Sequence, residues 1–199
     1  MLTVIGKATS INVRKALWTC TELGLPFVRE EWDDSHAALN PNRMVPVLVD
    51  DGFVLWESNS ICRYLCEQHG GASLLPVDAR ARACVGQWMD WQATELNTAW
   101  RYAFMALVRG SPAPRDPALI EAGIAGWNRH VGLLDAHLGA NGPYAAGAGF
   151  SLADIVLGLS VNRWLMTPMA RPDYPHVAAW YARLGERPGF GAWCGNGIA

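Results

Sequence analysis

Short apolar runs and helical spacing alternate through the first third of the chain. Leu2 to Ile5 is apolar and stops at Gly6, which predicts a first strand. From Asn12 to Leu23 the positions Val13, Ala16, Leu17, Cys20 and Leu23 recur at three and four, predicting a helix ended by Gly24 and Pro26. Phe27 to Trp32 alternates and predicts a second strand, whereas Asp33 to Met44 is polar and irregular, with room for one helical turn around His36 to Leu39. Pro46 to Asp50 and Phe53 to Trp56 are apolar strands joined by Asp51-Gly52, a hairpin signal because Gly supplies the positive φ of a tight turn. Ser58 to His69 returns to helical spacing through Ile61, Cys62, Leu65 and Cys66, with Ser58 placed to cap it and Gly70-Gly71 to end it. The order β-α-β-(α)-β-β-α predicts an α/β unit with a mixed sheet.

Beyond the small-residue linker Gly70 to Val77, strand signals almost vanish. Asp78 to Val108 reads as one long helical stretch. Pro117 to Leu138 is another, with Ile120, Ile124, Trp127, Val131, Leu134 and Leu138 on one face. Ser151 to Trp164 and Pro175 to Glu186 complete the set, separated by loops at Gly110 to Asp116, Gly139 to Gly149 and Thr167 to Asp173. The expected fold class is therefore α/β plus all-α: a sheet-containing domain over residues 1–72 and an all-helical domain over 78–199.

Composition narrows the function classes. Over 199 residues, 51% are hydrophobic and only 17% charged, so the chain can bury a core and is not disordered. A net charge of −2 offers no basic footprint for nucleic acid. The start, Met1-Leu-Thr-Val-Ile, has neither the charged nor the long apolar region of a signal peptide, and no apolar run reaches the ~18 residues of a membrane span; the expected compartment is the cytoplasm. Five cysteines without a Cys-x-x-Cys pair fit neither a disulfide framework nor a zinc site, and the plain expectation is buried, reduced thiols. Most of the ten Trp are expected in the core or at an interface.

Three segments of the first domain can carry chemistry. Thr9-Ser10-Ile11-Asn12 lies where the first strand meets the first helix. A helix start presents unpaired N–H groups and a positive dipole end, which together attract an anion. The Ser10 hydroxyl could donate to such an anion, although Ser10 or Asn12 could equally be a cap and nothing more. Met44-Val45-Pro46-Val47 enters the third strand. A cis bond before Pro46 would leave the Val45 main chain free to pair with a bound peptide, while a trans Pro would simply start the strand. Trp56-Glu57-Ser58-Asn59-Ser60 turns into the next helix, with a Glu57 carboxylate for an ammonium and Ser58 at a helix start for a carboxylate. That pair suits the two charges of an α-amino acid, or it is only a capping site.

Taken together these segments resemble the thioredoxin-like N-terminal domain of glutathione transferases. Asn40-Pro41-Asn42-Arg43-Met44-Val45-Pro46-Val47-Leu48 is similar to that family's Asn-Pro-x-Gly-x-Val-Pro-x-Leu run. Trp56-Glu57-Ser58-Asn59-Ser60-Ile61 with Arg63-Tyr64-Leu65 is similar to its Glu-Ser-x-x-Ile-x-x-Tyr-Leu run. In the second domain Phe150-Ser151-Leu152-Ala153-Asp154-Ile155 resembles the family's capping motif, with Asp154 reaching back to Ser151.

The resemblance implies a cytosolic detoxifying transferase with glutathione as cosubstrate, no metal, and a small hydrophobic electrophile as second substrate. Val45 would pair its main chain with the cysteinyl part of glutathione, beside Met44 and Pro46, and Glu57 and Ser58 would hold the γ-glutamyl end. Ser10 matches the serine that activates the thiol in serine-type classes, and with Lys15 nearby the spelling is similar to bacterial theta- and nu-like members; Asn12 is a second candidate donor. Arg43 stands where the family often has Gly, and it is kept as a candidate for the glycyl carboxylate. Trp100, Phe104 and Trp164, and with them Tyr102 and Met105, are candidates for the hydrophobic pocket. The resemblance also implies a homodimer, with no nucleic acid or membrane partner. Glutathione-dependent isomerase, dehalogenase or peroxidase activity would use the same site, and so would a non-catalytic glutathione carrier. A glutaredoxin-like redox role is disfavoured, because no Cys lies in Thr9 to Asn12.

Overall fold

The computed structural model describes residues 1–111 and 116–199. Of the expected loop Gly110 to Asp116, residues 112–115 lie outside the described residues. The first strand β1 (Leu2–Ile5) leads into helix α1 (Ile11–Glu22), followed by β2 (Phe27–Glu30), a 3-10 turn (Asp34–Ala38), β3 (Val47–Asp50), β4 (Phe53–Trp56) and α2 (Ser58–Gln68). The second strand stops at Glu30 rather than Trp32, because the chain leaves the sheet to reach Asp33. The Asp33 carboxylate accepts from the Ser35 N–H at 2.9 Å and starts the 3-10 turn.

The sheet order is β2-β1-β3-β4, with β1 parallel to β2 and antiparallel to β3. The register pairs Ile5 with Val47 and Val47 with Trp56. It therefore brings the ends of β1 and β4 and the start of β3 to one side of the sheet, where all three motif segments meet.

The long helical stretch is observed as α3 (Ala79–Trp91), a π turn (Gln92–Leu96) and α4 (Asn97–Leu107). Then come α5 (Pro117–Asn141), α6 (Leu152–Met166), α7 (Pro175–Leu184) and a short α8 (Phe190–Trp193) that the spacing did not suggest. Asp116 and Asp78 cap their helices through side-chain bonds of 2.9 Å each. Ser151 and Asp154 form the expected box, with Asp154 accepting from the Ser151 N–H at 2.9 Å and from its hydroxyl at 3.0 Å. Asp154 also accepts from the Ala145 N–H and the Trp180 indole, both at 2.9 Å, so one carboxylate ties three segments together.

Two apolar clusters form the core. Leu2, Val4, Leu48, Val13, Leu17 and Ile61 fill the space between the sheet and α1 and α2. Ile11, Trp18, Cys62 and Cys66 belong instead to the large cluster of the helical region, with Trp127, Leu157 and Trp180. Helix α1 is thus buried on two faces. At Gly158 and Gly189 an added Cβ would fall 2.7 Å from Leu184 and 2.1 Å from Trp18, which explains small residues where α6 and the C-terminal segment approach. Cys20, Cys62, Cys66 and Cys194 are buried and free as expected, but Cys84 is exposed on α3. Among the described residues, no helix is long and apolar enough to cross a membrane.

Candidate functional site

Strand β1 delivers the chain to α1 through Gly6 and Lys7. Ser10 occupies the N-cap position with extended backbone, and its side chain makes no capping bond, so the hydroxyl is left for another acceptor. No acidic residue sits in the first turn of α1 to occupy its positive end. Gly6 has φ of 142°, and an added Cβ would lie 2.6 Å from Val13 and 2.8 Å from Val45. Any larger residue would push Val45 out of place.

The loop before β3 is organised by Asn40, which is buried. Its amide donates to the Met44 carbonyl at 2.8 Å and its carbonyl oxygen accepts from the Asn42 N–H at 2.9 Å. Arg43 adopts φ of 51°, a left-handed conformation that suits Gly, which is the residue the resembling motif carries there. The Val45-Pro46 bond is cis. Among the described residues no hydrogen bond takes up the Val45 N–H or C=O. An extended peptide could therefore pair with them.

Glu57 joins β4 to α2 at φ of 72°, and it, rather than Ser58, holds the N-cap position. Ser58 is the first helical residue and is buried. Glu57 is exposed, and among the described residues no cation pairs with it. A non-glycine residue held in this sparsely populated region points to a demand at the site itself.

These segments enclose one cavity of about 360 Å³, lined by Asn12, Asn40, Asn42 and Met44 on one side and Val45, Pro46, Glu57 and Ser58 on the other. Ser10 is half-exposed at the edge and does not line it, whereas Asn12 does. Arg43 lines a neighbouring hollow with Lys7, Glu31 and Trp32. A cleft of about 370 Å³ adjoins the first cavity, sharing Asn12 and Met44 with it, and is otherwise walled by Ile11, Ala93, Asn97, Thr98, Trp100, Arg101 and Arg163.

Of the expected pocket aromatics, only Trp100 lines this cleft. Phe104 is buried behind Trp100, with ring centroids 5.3 Å apart. Trp164 packs against Tyr174, and its indole donates to Asn128 at 2.8 Å, so helical spacing places it in the core. Tyr102 and Met105 do not line the cleft either. Asn97, Thr98, Arg101 and Arg163 are the residues that sequence reasoning missed. Their polarity on helices with an apolar stripe was the available signal. A different hollow of about 400 Å³, lined by Leu25, Pro26, Phe27 and Val28, lies at the other end of the sheet and holds none of the motif residues.

Behind the site, Lys15 is fully buried and donates to Gln92 at 2.7 Å and to Asn59 at 3.2 Å. Burial pulls its ammonium down to about 8, against a smaller upward effect of the Cys62 and Glu57 side chains. Gln92 in turn donates to Asn97 at 3.0 Å and Ser160 at 2.9 Å, and the Trp100 indole donates to Asn97 at 3.0 Å. This chain of bonds fixes Asn97 and Trp100 relative to α1. Burial pushes the Cys20, Cys66 and Cys194 thiols up to about 12, which removes them as nucleophiles. A thiolate at this site has to come from the ligand or from elsewhere.

Two family models match the chain: residues 9–68 match "Glutathione S-transferase, N-terminal domain" and residues 117–183 match "Glutathione S-transferase, C-terminal domain". Glutathione S-transferase GstB of Escherichia coli (strain K12) is 36% identical over 198 residues, covering 94% of this chain and 95% of the relative. The theta class glutathione S-transferase of Xanthomonas axonopodis pv. citri, solved with glutathione bound, is 38% identical with a TM-score of 0.89, covering 96% of both chains. An epsilon-class glutathione S-transferase from the housefly, Musca domestica, is 28% identical with a TM-score of 0.86, covering 100% of this chain and 94% of the other. With the motif segments, the mixed four-stranded sheet and the helical region all in agreement, the chain belongs to the glutathione S-transferase family.

Proposed function

We propose that the protein is a glutathione transferase that conjugates the glutathione thiolate to electrophiles held in the cleft beside α4. The observation that carries this reading is the single cavity walled together by Asn12, Val45-Pro46 and Glu57-Ser58. Val45 offers an N–H and a C=O to the cysteinyl main chain. Glu57 offers a carboxylate to the γ-glutamyl ammonium, and the Ser58 hydroxyl and N–H at the start of α2 suit its carboxylate. Arg43 and Met44 border the end where the glycyl carboxylate would lie. The bound glutathione in the similar Xanthomonas enzyme supports the same use of the cavity.

The thiolate is the nucleophile, and a free thiol with pKa near ~8.5 is only a few per cent ionised at neutral pH. Lowering that value by two units needs about 2.7 kcal/mol of preference for the anion. One hydrogen bond to a charged acceptor contributes roughly 1.5–3 kcal/mol, and a helix N-terminus roughly 0.3–1 kcal/mol more. Ser10 with the start of α1 supplies enough, and Asn12, which faces both cavities, is the second donor. Residues 1–72 then hold glutathione and residues 78–199 most of the second substrate. Family resemblance supports a cytoplasmic homodimer, which light scattering on the purified protein tests directly.

The test is retention on immobilised glutathione, followed by turnover of 1-chloro-2,4-dinitrobenzene. Absence of both overturns the reading, and retention without turnover of any electrophile leaves a carrier. Ser10→Ala is expected to raise the apparent pKa in the pH–rate profile and of the bound thiol read by its ultraviolet absorbance. An unchanged profile, with a shift in Asn12→Ala instead, assigns the role to Asn12.

A further inference from the structure

Arg163 projects from α6 into the wall of the second cleft, yet it is 3% exposed. Its guanidinium lies 4.6 Å from the Trp100 ring centroid and 4.2 Å from that of Phe104, stacked against both aromatic faces. Its Nε is buried without a hydrogen-bond partner. Among the described residues, no carboxylate pairs with it. The undescribed residues 112–115, Pro-Ala-Pro-Arg, include no acid.

The surroundings add positive charge. Arg101 lines the same cleft, and Arg109 lies over the Phe104 ring at 5.5 Å. Arg14, also fully buried, is met by the oxygens of Trp193, Ile198 and Ala199 and by the Asn196 side chain. Burial, with repulsion from Arg14 and Arg109, pulls Arg163 down to about 9, which still leaves it charged at neutral pH. Among the described residues no carboxylate lines the cleft, and Glu57 faces the adjoining cavity. A buried cation without a counter-ion is costly unless a bound group supplies the missing charge.

We propose that the second-substrate cleft is built for an electrophile bearing a carboxylate, which Arg163 receives in the cleft and Arg101 attracts at its mouth. The inference rests on the transferase reading above. Trp100 presents an aromatic surface to the organic part, and Asn12 and Met44 place that part next to the glutathione cavity. With an aryl halide, the glutathione sulfur forms the new C–S bond and chloride departs with the C–Cl electron pair.

A matched pair of probes tests this: 4-chloro-3-nitrobenzoate and its methyl ester, each rate being divided by the uncatalysed reaction with glutathione. The acid is expected to show about tenfold or more higher normalised kcat/KM, the size of one charge-assisted hydrogen bond. Arg163→Gln is expected to remove most of that preference, read as the ratio of acid to ester, and Arg163→Lys to restore part of it. Arg101→Gln, at an exposed position that folding tolerates, is expected to lower the preference by about two- to fivefold, more strongly at low salt. Calorimetric titration of the wild-type protein with the unreactive 3-nitrobenzoate and methyl 3-nitrobenzoate reads the preference without turnover. An ester bound as tightly as the acid, or turned over as well after normalisation, overturns the proposal. Failure of both probes to react, with no retention on immobilised glutathione, overturns the transferase reading instead, and the calorimetric comparison still decides for or against the anion site.

Discussion

Glu57 holds φ at 72° while its carboxylate stands free at the mouth of the cavity, so on the proposed function stability and ligand binding pull this residue in opposite directions. Relief of such a conformation is worth about 1–3 kcal/mol, offset by roughly 0.5–1 kcal/mol for the added freedom of glycine in the unfolded chain. Glu57→Gly is therefore expected to leave the melting temperature unchanged or raise it, and to raise the KM for glutathione about tenfold or more. Glu57→Gln, which keeps the backbone strain, is expected to share the KM effect without the gain in stability. Thermal denaturation and steady-state kinetics on the pair separate the two roles. The identity of this residue was legible in the sequence as a carboxylate beside a helix start. Its backbone was not, because Ser58 is the better capping residue by type and local preference alone assigns it that place. Arg163 was illegible for a similar reason: within α6 it reads as a polar break in an apolar run. Its meaning depends on Trp100 and Phe104, which lie about sixty residues earlier.

At the scale of elements, α1, α2 and the π turn are joined through Lys15, Asn59 and Gln92. In the unfolded chain a lysine keeps its proton to about pH 10.4, whereas the folded protein releases that of Lys15 near about 8. Between those values the unfolded state binds more protons, so this group's contribution to stability rises with pH, by at most about 1.4 kcal/mol per pH unit. Lys15→Met is expected to flatten that rise, read as the change in urea midpoint between about pH 7.5 and about pH 9.5 relative to wild type. The midpoint rising equally in both proteins would remove Lys15 as its source. Asp154 has a simpler expectation. Truncation to Ala leaves the Ala145 N–H, the Ser151 N–H and the Trp180 indole without their acceptor and should cost about 3 kcal/mol or more in chemical denaturation. Asn should cost less, since one oxygen still accepts. The Ser151–Asp154 box was legible because both partners lie within one turn. The π turn was not, since Gln92 is fixed by Lys15 and Ser160, both 68 or more positions away.

Over the whole molecule, the sheet-containing and helical regions are distinct in element type but not in core. Ile11, Trp18, Cys62 and Cys66 belong to the same apolar cluster as Trp127 and Trp180. Separating the regions would expose those side chains, at about 25 cal/mol for each Å² of apolar surface. Unfolding is accordingly expected as one transition, with tryptophan fluorescence and far-ultraviolet circular dichroism giving the same urea midpoint. Two resolved midpoints would show that the regions melt independently. The change from strands to helices alone after β4 was legible from the change in hydrophobic period. The shared core was not, because the stripe of α1 carries apolar residues toward both sides and period alone does not say what each side meets.

Asn12 and Met44 line both cavities, so on the proposed function the two ligands would lie against the same two side chains. A conjugate formed across them would fill both chambers at once and keep most of the contacts of each substrate. The finished product would then be a two-headed inhibitor, expected to compete with glutathione and with the electrophile alike. Its departure, rather than bond formation, becomes the natural slow step when the electrophile is reactive.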